Sequence, residues 1–413
     1  MILKNKVIVF LGNTRFDGHI QATSLFIARN LAKENKVFFI DYPFTLKDYY
    51  YYKKNSSADQ LKERKKKFSI LSDGLIDTDL PNLKIIITPP VLPINFLSEG
   101  MFFRSMLKLN ENLISMRLKK VFKQEGIADF IYINSFNFHY PDIAAKIKPT
   151  LTVYHCVDPM IVPYDMKHGI LSENKLVKES NLVICTSKAL YEEKKELNQN
   201  TYFVPNATDS SLTQQTANPD LRIHTKLKDL KKPIIGYLGT IERRIDYDLV
   251  LEVVKLNPDK SFVLAGPVEG NYIPEIMHHL PNIHIIGPVP YDEVAQIIKS
   301  FDVAIIPFKK DDVSNTIFPI KLFEYLSAGK PVVVTNFNDD LRDFTGNCVE
   351  YCSDAASFSN AIDQVLKNES EAKILERKAL AKENTWEKRS DQISEIIASH
   401  LPASQKKHLI TNY

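Results

Sequence analysis

The sequence predicts an α/β protein built from two doubly wound, parallel-sheet domains in series. Three observations carry that expectation. Short β-branched runs alternate with helix-length amphipathic stretches along most of the chain. The alternation occurs twice, once on each side of a polar stretch at 206–232. The chain's 413 residues, 44% hydrophobic and 25% charged, have an ordinary globular composition and suffice for two or three cores.

In the first half, continuous apolar runs of strand length lie at Val7–Gly12, Lys36–Asp41, Lys84–Thr88, Phe130–Asn134, Thr150–Cys156, Leu182–Thr186 and Thr201–Pro205. Helical spacing fills the gaps at His19–Lys33, Phe102–Gln124 and Glu173–Glu179. Residues 206–232 lack strong periodicity and read as a link. Strands then follow at Ile234–Leu238, Phe262–Gly266, His284–Gly287, Val303–Pro307, Val332–Thr335 and Val349–Tyr351. Helices are expected at Tyr247–Lys255, Tyr291–Ser300 and Pro319–Ala328, and from Ala355 onward, ending in an amphipathic segment around Trp386–His400. The expected domains are 1–205, a linker 206–232, a second domain 233–375 and terminal helices 376–413. Two such sheets face each other across a cleft, and their ligands bind beyond the carboxyl ends of the strands.

The four cysteines form no C-x-x-C pair, which argues against a disulfide framework or zinc site and fits a reducing, cytoplasmic setting. The apolar core of the N-terminal run is six residues, too short for a signal peptide or a membrane span, and no other stretch is long enough to span. Charge is uneven: 29 Lys+Arg against 21 Asp+Glu through residue 205, and 24 against 29 beyond it.

The segment "FPIKLFEYLSAGKPVVVT" (318–335) reads as a helix, a stop and a buried strand. Lys321 falls in the first helical turn, where the backbone dipole is already positive. Two positive features aimed at one point make an anion site, most naturally for phosphate. Glu324, one turn deeper on the same face, suits sugar hydroxyls. The alternative is a solvated Lys–Glu pair. The first strand of this half ends "GYLGTIERR": Gly239 permits close backbone approach, Thr240 offers an amide and hydroxyl, and Arg243 and Arg244 add charge suited to a diphosphate. Those arginines have Glu242, Asp246 and Asp248 as alternative partners. The rigid turn "GPVP" after the third strand exposes backbone groups that can pair with a flat base.

The ordered blocks GYLGTIERR, AGP, GPVPY, AIIPF and PIKLFEYLSAGKPVVVT resemble the donor half of GT-B-type glycosyltransferases that build bacterial surface polysaccharides. They are similar to the branch containing teichuronic acid transferases, over about residues 205–340. The resemblance implies a nucleoside-diphosphate sugar as co-substrate, with no cofactor and no metal. It places Lys321 and one of Arg243 and Arg244 on the diphosphate, Glu324 on the ribose and Val289 at the base. Many relatives carry a second glutamate where this chain has Thr316, which removes a donor-sugar contact. D-x-D strings at 77–79 and 246–248 are read as chance.

The first half is then the acceptor domain. In the loop "GNTRFDGHIQ", Asp17 and His19 are expected at the acceptor, with helix capping as the alternative role of Asp17. "TVYHCVDPM" delivers His155 and Asp158 to one strand end. Asp158 is the expected general base of an inverting reaction and His155 the second choice, with a satisfied strand-end histidine as the latter's alternative. In a retaining reaction the leaving phosphate takes the proton and Asp158 orients the acceptor. Residues 101–123 hold six basic residues and one acidic residue with helical apolar spacing. This is the profile of a helix on an anionic membrane, or of a core helix with a basic outer face. No nucleic-acid motif accompanies the lysines. The expected activity is hexosyl transfer to a saccharide or lipid-linked acceptor, at the inner face of the plasma membrane if the helix binds there. A sugar-nucleotide 2-epimerase and a non-catalytic nucleotide-binding module are the competing classes.

Overall fold

The computed structural model describes residues 1–16, 23–55 and 64–402. They form two compact units, Met1–Val204 together with Ser390 onward, and Pro205–Arg389.

The first unit holds an eight-stranded sheet. Its strands are β1 (Val7–Leu11), β2 (Lys36–Ile40), β3 (Leu75–Asp77), β4 (Leu83–Ile86), β5 (Ile131–Ser135), β6 (Leu151–Cys156), β7 (Leu182–Cys185) and β8 (Thr201–Phe203), in the order β3-β4-β2-β1-β5-β6-β7-β8. All neighbours are parallel except the short β3, which runs antiparallel to β4. The strand order reverses around β1, so the crevice between the β2 and β5 sides lies at its carboxyl end. The helices are α1 (Thr23–Leu31), α2 (Leu46–Asn55), α3 (Met101–Glu125), α4 (Ile143–Ile147), α5 (Pro163–Glu179) and α6 (Lys188–Lys195). The central strands are buried on both faces, which is why they read as unbroken apolar runs.

Helix α3 packs one face into the core. Ile114, Leu118 and Val121 are fully buried in the core. Its basic residues are partly used internally: Arg117 donates to the carbonyls of Ser72, Lys67 and Ser69, and Lys120 to those of Ile70, Leu71 and Ser72. Two of its cations, Arg117 and Lys120, thus tie down the 67–72 segment.

The second unit has an all-parallel sheet of β9 (Ile234–Leu238), β10 (Ser261–Ala265), β11 (Ile283–Gly287), β12 (Val303–Ile306), β13 (Val332–Thr335) and β14 (Val349–Cys352), ordered β11-β10-β9-β12-β13-β14. Its helices are α7 (Ser210–Ala217), α8 (Tyr247–Leu256), α9 (Val294–Ser300), α10 (Ile320–Ser327), α11 (Asp340–Thr345), α12 (Ala355–Lys367) and α13 (Glu371–Lys382). The expected linker 206–232 is instead part of this unit. Leu212 and Leu227 are buried in its core, and the Thr208 N–H donates to the Asn384 carbonyl. A polar composition hid one-sided burial. Helix α13, expected among helices returning to the first domain, packs on α10, where the Arg377 Nε donates to the Gly329 carbonyl at 2.9 Å.

The last helix, α14 (Trp386–His400), begins in the second unit and continues as part of the first. There the Leu3 N–H donates to Ser394 Oγ at 2.6 Å, and the N-terminal ammonium lies 3.1 Å from Asp391. The D-x-D residues have structural roles: Asp79 pairs with Arg29, and Asp246 accepts the Leu249 N–H at the start of α8.

Candidate functional site

The site in the second unit is built on α10. Leu322, Phe323, Tyr325 and Leu326 are buried and fix the helix on the sheet. Tyr325 Oη accepts the Leu238 N–H at 2.8 Å, which locks the helix to the end of β9. The approach to the helix is held from two sides, by Asn206 Nδ2 on the Phe318 carbonyl at 2.8 Å and Asn338 Nδ2 on the Ile317 carbonyl at 3.0 Å. Gly329, at φ 74, stops the helix in the left-handed region.

That frame presents Lys321 in the first turn. Its ammonium donates to Tyr237 Oη at 2.8 Å and lies 4.5 Å from the Tyr237 ring centroid and 4.9 Å from that of Phe308. The Tyr237 hydroxyl in turn donates to the Thr240 carbonyl at 2.9 Å. Gly239 makes the niche: its φ is +148, and a Cβ there would fall 2.6 Å from Lys321 Nζ. Gly266, at φ +142, lies against it, and a Cβ there would fall 2.1 Å from the Gly239 carbonyl oxygen. Gly239 therefore clears the space that the amine occupies, and Gly266 makes room for the Gly239 backbone.

The electrostatics of this niche are unbalanced. Burial, followed by the nearby Arg244, pulls the Lys321 pKa from 10.5 down to about 7. Burial also pushes Glu324 up to about 7, with Asp209 adding to the rise and Lys321 opposing it. Neither forms an ion pair among the described residues. A half-buried cation whose hydrogen-bond partner is a neutral phenol is a poor structural choice and a good anion receptor.

Of the expected donor residues, Gly239, Lys321 and Arg244 are brought together. Arg244 bonds Glu242 and stacks over Phe308. Arg243 Nη2 is buried without a hydrogen-bond partner. Thr240 contributes its carbonyl to Tyr237. Val289 is half-buried after β11 and packs against the core. Thr316 turns its hydroxyl to the Val313 carbonyl at 2.7 Å. Sequence reading missed Tyr237 and Phe308, because aromatics in or just after apolar strands look like core. It also missed Asp209, which caps α7 and accepts from Tyr291 at 3.1 Å.

In the first unit the expected pair separates. His155 is 3% exposed, its Nδ1 lies 3.0 Å from Ser135 Oγ, and burial lowers its pKa to about 4. This fits the alternative of a strand-end histidine held within the fold better than that of a base. Asp158, three residues on, is exposed. Asp17 and His19 lie outside the described residues. Among the described residues no group of three or more His, Cys, Asp or Glu side chains is arranged to hold a metal.

Residues 221–385 match the family of glycosyl transferases group 1. A protein of Bacillus subtilis (strain 168), assigned provisionally to teichuronic acid biosynthesis as the glycosyltransferase TuaH, is 28% identical over 213 residues, covering 48% of this chain and 53% of that protein. The match thus spans about half the length of this curated relative. Among solved structures, sucrose-phosphate synthase of Thermosynechococcus elongatus superposes with a TM-score of 0.62 at 12% identity, covering 98% of each chain. Trehalose-6-phosphate synthase of Burkholderia multivorans gives 0.64 at 9%, covering 98% of this chain and 99% of that one. Anabaena HepE in complex with UDP-glucose gives 0.62 at 12%, covering 95% and 99%. These likenesses show the GT-B fold.

Proposed function

We propose that this chain, which carries a group 1 glycosyl transferase domain on a GT-B fold, is a hexosyltransferase. It moves a sugar from a nucleoside diphosphate to a saccharide acceptor in surface polysaccharide synthesis. The observation that carries the reading is Lys321, a half-buried cation without a counter-anion in a niche cleared by Gly239. A diphosphate supplies the missing charge. When the bond from the anomeric carbon to the phosphate oxygen breaks, negative charge develops on the leaving diphosphate. Lys321, Arg243, Arg244 and the first amides of α10 stabilise that charge without a metal. Glu324, unpaired one turn deeper, accepts the ribose hydroxyls, and Val289 borders the base. Asp158 takes the proton of the attacking hydroxyl or orients the acceptor. The TuaH likeness supports the polysaccharide setting, and HepE, crystallised with UDP-glucose, supports a uridine donor.

A lipid-linked acceptor and peripheral attachment to an anionic membrane belong to the same reading. Their support is the first turn of α3, where Met101 is 90% and Phe102 65% exposed, with Lys108 close by in sequence. Sedimentation with vesicles containing phosphatidylglycerol checks the attachment; equal recovery with neutral vesicles would count against it.

Calorimetric titration with UDP and GDP, followed by a nucleotide-sugar screen, tests the donor reading. One nucleotide should bind, and Lys321→Ala should weaken it by about tenfold or more, the scale of a lost charged hydrogen bond. If neither binds, the proposal fails. Rapid donor turnover without acceptor would favour an epimerase. Binding with no release of nucleoside diphosphate in any acceptor mixture would favour a binding module.

A further inference from the structure

A cavity of about 450 Å³ lies within the first unit. Tyr42, His139 and Asp165 line it together with Asn95 and Phe96, from the end of the β4–α3 connection, and with His168 from α5. That connection is strapped to α5 by three side chains. Lys167 Nζ donates to the Asn95 and Phe96 carbonyls, both at 3.3 Å. Arg104 grips the Glu99 carboxylate through two nitrogens, at 2.7 and 3.0 Å, and donates to Ser172 Oγ at 3.0 Å. His168 is buried. Its Nδ1 lies 2.7 Å from Glu99 Oε2, its Nε2 lies 3.1 Å from the Leu97 carbonyl oxygen, and its ring stacks on Phe103 with centroids 3.6 Å apart.

These contacts fix the ring's charge. A neutral imidazole carries one N–H and one acceptor nitrogen. The Leu97 carbonyl can only accept. Glu99, gripped by Arg104, is a carboxylate: burial raises its pKa, but Arg104 and then His168 outweigh burial and hold it below the usual range. Only the imidazolium therefore makes both bonds. When the ring loses a proton, the bond that goes is the longer one, to the uncharged Leu97 carbonyl, because a charged acceptor holds the remaining N–H more strongly. The Nε2 lone pair then faces the carbonyl oxygen and repels it.

The other charges around the ring offset one another. On α5, Asp165 and Lys167 are opposite in sign, and so are Lys47 and Asp48, which line the cavity from α2. Tyr42, pushed up to about 12 by burial and then by Asp48, is neutral. Burial first, and the His168 charge second, lower the His139 pKa to about 4, so that ring is neutral too. From α3, Arg104 opposes the imidazolium but is itself joined to Glu99. Glu99, in direct contact with the ring, is the group that decides its charge.

We propose that His168 is a pH-sensitive latch on this cavity: with both ring nitrogens protonated it straps segment 95–99 to α5, and loss of one proton frees the Leu97 carbonyl and loosens that wall. The closed form binds one proton more than the open form, so closure weakens as pH rises. Histidine changes charge between about pH 5 and 8. The latch is independent of what the second unit binds.

The test uses the full chain, carrying nitrogen-15 histidine and carbon-13 leucine methyls, from about pH 5.5 to about pH 8.5. Proton–nitrogen correlation spectra of the ring should show His168 with protons on both nitrogens at the acid end and on one at the alkaline end. The Leu97 methyls should titrate with the same midpoint. Amide exchange at Leu97, corrected for the intrinsic effect of pH, should quicken by about fivefold or more across the range, the loss of one hydrogen bond. His168→Gln, neutral throughout, should abolish both the methyl titration and the corrected change in exchange. Glu99→Gln, at a partly exposed side chain, should move the midpoint to lower pH, and it keeps the latch testable if His168→Gln does not fold. A single N–H on His168 at the acid end, corrected exchange that does not vary with pH, a Leu97 titration that survives in His168→Gln, or an unmoved midpoint in Glu99→Gln would overturn the latch.

Discussion

Lys321 and Glu324 share one half-buried niche, and their titrations run in opposite directions. Glu324 is raised from 4.5 to about 7, so the folded chain binds more protons than the unfolded chain across that window, and stability falls as pH rises through it. Lys321 is lowered from 10.5 to about 7, so the folded chain binds fewer protons above pH 7, and stability rises with pH there. The pair therefore contributes a stability minimum near pH 7. In thermal melts of the free protein, Lys321→Met should flatten the upper limb and Glu324→Gln the lower. Lys321→Met should also raise stability near neutral pH, by about 1 to 2 kcal/mol, because an apolar group replaces an uncompensated cation. Nucleotide binding should take up protons at pH 7.5, seen as a calorimetric enthalpy that varies with the buffer's ionisation enthalpy. An enthalpy independent of buffer would show that Lys321 is already charged before the ligand arrives. Gly239→Ala tests the niche itself. A Cβ 2.6 Å from the amine, on a backbone at φ +148, should cost about 1 to 3 kcal/mol and weaken UDP binding more than it weakens the fold.

At the scale of elements, the decisive piece is α10, eight residues long and too short to stand alone. Its position comes from its partners. Tyr325 Oη satisfies the Leu238 N–H at the last residue of β9, one residue before Gly239. Tyr325→Phe leaves that buried N–H without a partner and should cost about 1 to 3 kcal/mol in denaturant unfolding. UDP affinity should fall as well, because Tyr325 Oη ties the helix to the residue just before the glycine niche. Unchanged affinity in a folded Tyr325→Phe variant would show that packing alone aligns them. The block 318–335 was legible as helix, stop and strand because Pro, Gly and a β-branched run each act locally. The roles of Tyr237 and Phe308 were not, since nothing local marks an aromatic in or just after an apolar run whose ring supports a cation on another element.

At the scale of the whole molecule, the chain is two cores and one shared terminal helix. Residues from Ser390 supply Ser394 and Asp391 to the first unit's N-terminus, although α14 starts in the second unit. Truncation after Arg389 should lower the melting temperature of the first unit and leave UDP affinity in the second unchanged. A loss of UDP binding would show that the truncated segment supports the donor site. The alternation of apolar strands and amphipathic helices was enough to read both parallel sheets, because burial on both faces leaves an unambiguous imprint on composition. The same periodic logic misjudged 206–232, where Leu212 and Leu227 anchor a mostly polar segment. It also left α3 undecided between membrane and core, since a basic outer face looks alike in both.

Taken alone, the order of residues determined the two-sheet architecture and the helix carrying Lys321 and Glu324. These follow from periodicity, caps and dipoles, all of which act within a few residues. Only the folded structure decided that His155 is buried, that Lys321 rests on a phenol in a glycine-cleared niche, and that Tyr42, His139 and Asp165 line one cavity. Those facts depend on which side chains meet across tens to hundreds of residues. Such meetings, and the desolvation that shifts each group's charge, are set by packing in three dimensions and leave no local trace.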